Sequence, residues 1–92
     1  MNRKRLEKAR KKIDSIDRKI FYLIKKRTKI VQKMILIKKY KNQIVDRKRI
    51  NSILRKIKKK SKDNKIDSKI TLKIWKTMIL SFVDYQKRNF KR

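Results

Sequence analysis

Six polar side chains, most of them on otherwise apolar helical faces, are the residues of this chain best placed to do chemistry. Arg10, Arg27 and Lys38 share one stripe: Arg10 stands three residues before Ile13, Arg27 three after Ile24, and Lys38 four after Met34. Arg49 lies four before Ile53, at the edge of a second stripe, with Asp46 three residues ahead of it as a cap or a partner. Gln86 lies four after Phe82 and three after Val83, beside Tyr85. Taken singly, each reads as a rim cation, a helix cap or a solvent-facing amide. A cation on a buried face, however, is costly unless it is paired. The chain offers only seven acidic residues against 34 Lys and Arg, so the missing partner is read as an anionic ligand. Together, three Arg, one Lys and one Gln describe an apolar-walled cavity for a small dicarboxylate, which Arg binds bidentately. Such a site has no nucleophile, general base or metal.

Composition narrows the alternatives. The 92 residues suffice for one small domain, read as residues 1–92. There is no Gly and no Pro, which excludes hairpins and the glycine-rich phosphate cradles. Without Cys or His, a disulfide framework, a zinc site and a His general base are also excluded. No cofactor is expected. No apolar run approaches the roughly 20 residues of a membrane span, and a cytoplasmic location is expected. The net charge of +27 points first to nucleic acid. The favoured reading is compositional drift toward Lys, Ile and Asn, because the cations are dispersed and no base-reading module is present. Nucleic acid is therefore expected to bind only non-specifically, while the charge steers a dianionic substrate inward.

Three helices must position these residues. Apolar residues at Ile13, Ile16, Ile20, Leu23, Ile24, Ile30, Val31, Met34 and Ile37 predict an amphipathic helix from about residue 5 to 40, about 50 Å long. Asn2 to Arg5 read as a frayed basic end, and Tyr40 to Val45 as a connection. Asp46 caps a second helix from Arg47 to about Lys59, with Ile50, Ile53, Leu54 and Ile57 on one face. Lys58 to Lys65 reads as a loop. Asp67 or Ser68 caps a third helix whose stripe is Ile70, Ile74, Trp75, Met78, Ile79, Phe82 and Val83, fading by Phe90. Two shorter helices cannot cover the whole of the first stripe. The expected architecture is therefore an all-α, intertwined homodimeric bundle in which the long helices pair.

The order and spacing of these segments resemble the all-helical class of chorismate mutase over nearly the full length. Arg10-Lys-Lys-Ile-Asp-Ser-Ile-Asp17 is similar to that family's opening, and Leu23-Ile-Lys-Lys-Arg27 to its L-L-x-x-R motif. Lys38 follows Arg27 at the family's spacing of eleven, Asp46-Arg-Lys-Arg49 resembles its D-x-x-R, and the third helix closes on Gln86. The resemblance implies rearrangement of chorismate to prephenate, with no cofactor. It assigns Arg10 to a substrate carboxylate in the partner's site and Arg27 to a carboxylate in its own. Lys38 and Gln86 become donors to the ether oxygen. Helix phase favours Lys38 over its neighbour Lys39. Arg49 is assigned to the ring side and Asp46 to the loop and the substrate hydroxyl region. Two positions depart from the pattern: Ile50 stands where many members carry a carboxylic acid, and Phe82 where a small hydroxyl residue is common. Both also resemble the related isochorismate-pyruvate lyases, and a mutase of amino-substituted chorismate is a further alternative. From a different class, a basic helical nucleic-acid-binding protein is the alternative.

Overall fold

The computed structural model describes residues 2–91, and within them helices are the only regular secondary structure. Helix α1 spans Arg3–Ile37, a 3-10 turn Lys41–Gln43 follows, α2 spans Arg47–Asp63 and α3 spans Ser68–Asn89. Three helices in this order match the expected fold class. The described residues divide into two units, the first ending at Ile30 and the second beginning at Val31.

The first unit is the greater part of α1. Its apolar stripe is uncovered in the single chain: Ile13, Ile16, Ile20 and Leu23 are between 48% and 61% exposed. None of its described residues is fully buried. Within one chain, local propensity and i,i+4 contacts support this part of the helix.

The second unit holds the core. Val31 and Ile35 at the end of α1, Ile44 after the turn and Ile79 in α3 are its buried apolar residues. Ile37, placed on the stripe by its spacing, is exposed, because α1 ends there and not at residue 40. The Lys38 amide still donates to the Met34 carbonyl at 3.0 Å. The next two amides, of Lys39 and Tyr40, instead donate to Oε1 of Gln43, at 2.8 and 2.9 Å. A side chain thus makes the turn that glycine or proline makes in other chains.

Asp46 caps α2 as expected, its Oδ1 accepting from the Arg49 amide at 3.1 Å. The expected face of α2, Ile50, Ile53, Leu54 and Ile57, is half-buried. The helix overruns the predicted loop by a full turn, to Asp63. Ser61 explains the overrun. It is buried, and its hydroxyl lies 2.6 Å from the Ile57 carbonyl, to which it donates, and 2.6 Å from Thr71 Oγ1 of α3. A residue that reads as loop from its polarity is a small, satisfied contact between two helices. The helix ends in a Schellman motif: the Ile66 amide donates to the Ser61 carbonyl at 2.9 Å, and the Lys65 amide to the Lys62 carbonyl at 3.2 Å. The motif requires a left-handed residue, and here it is Lys65, at φ 56°. Asp67, not Ser68, caps α3, accepting from the Lys69 amide at 2.9 Å. The helix packs on α2 with Trp75, Met78, Phe82 and Val83 half-buried, but Ile70 and Ile74 stay exposed. Thr71 and Leu72 are half-buried in their place, since the Ser61–Thr71 pair sets the rotation of α3.

Candidate functional site

At the end of α1 the chain brings a cation and an amide together. Lys38 Nζ donates to Gln86 Oε1 at 2.8 Å. Gln86 is only 6% exposed and Lys38 is half-buried. This bond fixes the amide's orientation on chemical grounds. An ammonium has donors only, so the carbonyl oxygen must face it, and the Gln86 NH₂ group must point the other way. A buried amide held from its oxygen end presents two protons of its own. Lys38 has two further protons to offer beside them.

Burial pushes the Lys38 ammonium below its ordinary value of 10.5, and the Asp46 carboxylate partly restores it. Burial disfavours the charged form and the nearby anion favours it. Asp46 thus has two roles: its Oδ1 caps α2 and its charge acts on Lys38. Both residues line an open groove of about 1200 Å³, with Lys41, Arg47, Lys48 and Lys87 around it. Five cations and one carboxylate make that groove attractive to an anion of two negative charges.

The third helix is tied to the end of α1 at a second point. Gln32 Nε2 donates to the Tyr85 hydroxyl at 3.0 Å. Arg88 lies over the Tyr85 ring at 5.9 Å and pairs with Asp84 at 2.8 Å, an exposed i,i+4 contact worth little by itself. Tyr85 and Gln86 are therefore held from the end of α1 at Gln32 and from Lys38, the residue that follows the helix.

Lys38, Gln86 and Asp46, marked by their spacing, thus lie in one neighbourhood. Arg49 is exposed and meets Asp46 through its backbone amide. Ile50 and Phe82 are half-buried, Phe82 one turn before Gln86 on α3. In the first unit, Arg27 is half-buried and Arg10 exposed. Lys39, the alternative to Lys38, is exposed, and its amide belongs to the turn.

Sequence reasoning missed Gln32, Gln43, and the cations Lys41, Arg47, Lys48 and Lys87. Gln43 carried a signal in its position three after Tyr40, the spacing at which a side chain reaches back to a cap amide. The four cations carried none, being indistinguishable by type from the chain's other Lys and Arg. Among the described residues no helix is long and apolar enough to cross a membrane.

A family model described as chorismate mutase type II matches residues 9–87. No curated protein and no solved structure matches the chain.

Proposed function

The chain belongs to the type II chorismate mutase family, and from that premise we propose that it converts chorismate to prephenate as a homodimer, each chain forming one domain over residues 1–92. The observation that carries this reading is the Lys38–Gln86 bond at 2.8 Å, made at a buried amide.

A Claisen rearrangement breaks a C–O bond and forms a C–C bond within one molecule. No proton is transferred, so no acid, base or metal is required. What lowers the barrier is a compact substrate conformer and donors aimed at the ether oxygen, which gains charge as its bond breaks. Lys38 and the Gln86 NH₂ group are assigned to that oxygen. Lys38 supplies charge, and Gln86 supplies a neutral donor at every working pH. Arg27 and Arg10 are assigned to the two substrate carboxylates, Arg10 reaching the partner's site, and Arg49 to the ring side. Asp46 is assigned to the substrate hydroxyl region. Ile50 and Phe82 are assigned to the apolar wall.

The homodimer is supported by the uncovered stripe of Ile13, Ile16, Ile20 and Leu23, which a second copy of α1 would bury. Mixing Arg10→Ala chains with Lys38→Ala chains is expected to restore activity, since one hybrid site then has both residues. No recovery after verified subunit exchange refutes the shared site.

Incubation with chorismate and with isochorismate, in separate reactions, tests the chemistry. Prephenate from chorismate is the expected product. Salicylate and pyruvate from isochorismate, without prephenate, would assign the lyase reaction instead, in which the apolar Ile50 and Phe82 fit.

A further inference from the structure

We propose that Gln43 is a positioning residue, which sets the Lys38 ammonium by holding the turn that follows it; the kinetic part of this inference rests on the mutase reading above. Lys38 is the last residue whose amide belongs to the α1 hydrogen-bond ladder, donating to Met34 at 3.0 Å. Beyond it the chain turns with no glycine and no proline to fix it. Gln43 Oε1 fixes it instead, accepting from Lys39 and Tyr40 at 2.8 and 2.9 Å. The Gln43 amide in turn donates to the Tyr40 carbonyl at 3.0 Å, so the contact is reciprocal. One oxygen therefore joins the two peptide groups immediately after Lys38 to the 3-10 turn.

The location argues for positioning above stability. Gln43, Lys39 and Tyr40 are all exposed. Their amides take water when the side chain is removed, so the loss of folding free energy is small. The loss of definition is not small, because the backbone on one side of Lys38 is then free to move. A donor displaced by a fraction of an ångström no longer meets an oxygen whose charge develops only in the transition state.

The residue type is informative too. Gln43 lines the same groove as Lys38 and Asp46. A carboxylate would accept from the two amides more strongly, but it would place a second negative charge where a dianion enters. The neutral amide holds the turn and leaves the groove cationic.

Three variants separate these effects: Gln43→Ala, Gln43→Met, which keeps length without the acceptor, and Gln43→Glu. For Gln43→Ala and Gln43→Met, kcat for chorismate is expected to fall about tenfold or more with KM within about twofold, and Tm nearly unchanged. For Gln43→Glu, kcat is expected to return toward wild type while KM rises several-fold, most strongly at low salt. A second readout does not depend on the reaction. In protein carrying ¹³C-labelled lysine, the Lys38 side-chain resonance is followed by NMR from pH 7 to 11. Loss of the turn is expected to release Lys38 toward solvent and move its titration up toward an ordinary lysine in Gln43→Ala and Gln43→Met; in Gln43→Glu the added carboxylate raises it by charge alone, so that variant is read by kcat. The other charged groups that line the groove with Lys38, namely Lys41, Asp46, Arg47, Lys48 and Lys87, are intact in all three. An unchanged Lys38 titration in Gln43→Ala overturns the proposal, as does a fall in kcat that Gln43→Glu fails to rescue. If wild type leaves chorismate unchanged, the mutase reading fails, and the NMR titration alone decides whether Gln43 sets Lys38.

Discussion

Replacing Gln86 by Glu changes one NH₂ group into one oxygen and tests which end of the side chain does the work. The position is only 6% exposed, and its near oxygen already accepts from Lys38 at 2.8 Å. In Gln86→Glu that oxygen can keep the Lys38 bond. The far oxygen then occupies the place of the NH₂ group. When ionised it is an acceptor only and faces the ether oxygen with like charge; when protonated it donates, as the amide does. Two opposed influences set its titration: burial favours the neutral acid and Lys38 favours the carboxylate. Loss of one donor of this kind costs about 10²- to 10³-fold in kcat, or about 2.7–4 kcal/mol. The expected profile therefore falls by about tenfold per pH unit above the pKa of the new acid. It levels near the activity of Gln86→Leu, which has no donor at any pH. KM is expected to move less than kcat, because the interaction is made chiefly in the transition state. The assay is prephenate formation from pH 4 to 9 for wild type, Gln86→Glu and Gln86→Leu, with circular dichroism at each pH to follow folding. Full activity of Gln86→Glu at pH 8 refutes the assignment of Gln86 as the donor.

Three further outcomes are expected. First, because burial lowers Lys38 and Asp46 raises it, the alkaline limb of wild-type kcat is expected below pH 10.5, and Asp46→Asn is expected to move it lower still. Between the lowered value and 10.5 the unfolded chain binds the Lys38 proton and the folded chain has released it, so this residue makes stability rise with pH. In denaturant titrations over that window the rise should be seen in wild type and be absent from Lys38→Met. Second, Lys65→Gly relieves a left-handed residue that carries a Cβ and is expected to stabilise by about 1 kcal/mol. That corresponds to a Tm about 4–8 °C higher for a domain of this size, at fixed protein concentration; an unchanged or lower Tm contradicts the Schellman assignment. Third, duplex DNA is expected to bind without sequence preference, with affinity falling steeply as salt rises from 50 to 200 mM. A sequence-specific complex that survives the higher salt would favour a nucleic-acid function.

Much of this was legible in the sequence, and the parts that were not share a physical cause. Helix existence, order and N-caps followed from periodicity and from Asp46 and Asp67, because apolar spacing and capping are local properties. Helix ends were misplaced wherever a side chain did what composition could not announce. Ser61 and Thr71 extended α2 through a polar stretch, and Gln43 closed α1 three residues early. The chain has no glycine to take a positive φ, yet Lys65 takes that conformation because the Schellman hydrogen bonds offset its cost. Lys38 and Gln86 were legible because each is a polar residue at an apolar phase. Lys41, Arg47, Lys48 and Lys87 were not, because their significance lies in the groove that they line together.

That contrast bears on how a chain of net charge +27 can discriminate among anions. Dispersed surface cations attract every anion and are screened by salt. Lys38 differs from them in being half-buried, depressed by its surroundings and committed to one acceptor, the Gln86 carbonyl oxygen. Its remaining protons, and those of the amide, have directions fixed by the protein before any ligand arrives. Under the proposed mutase reading, selectivity for a substrate whose oxygen gains charge during reaction comes from this pair and the turn behind it, while the surrounding cations govern how fast a dianion reaches it. The two contributions separate by salt: raising ionic strength should lower kcat/KM through association and leave kcat, which reports the oriented pair, nearly constant.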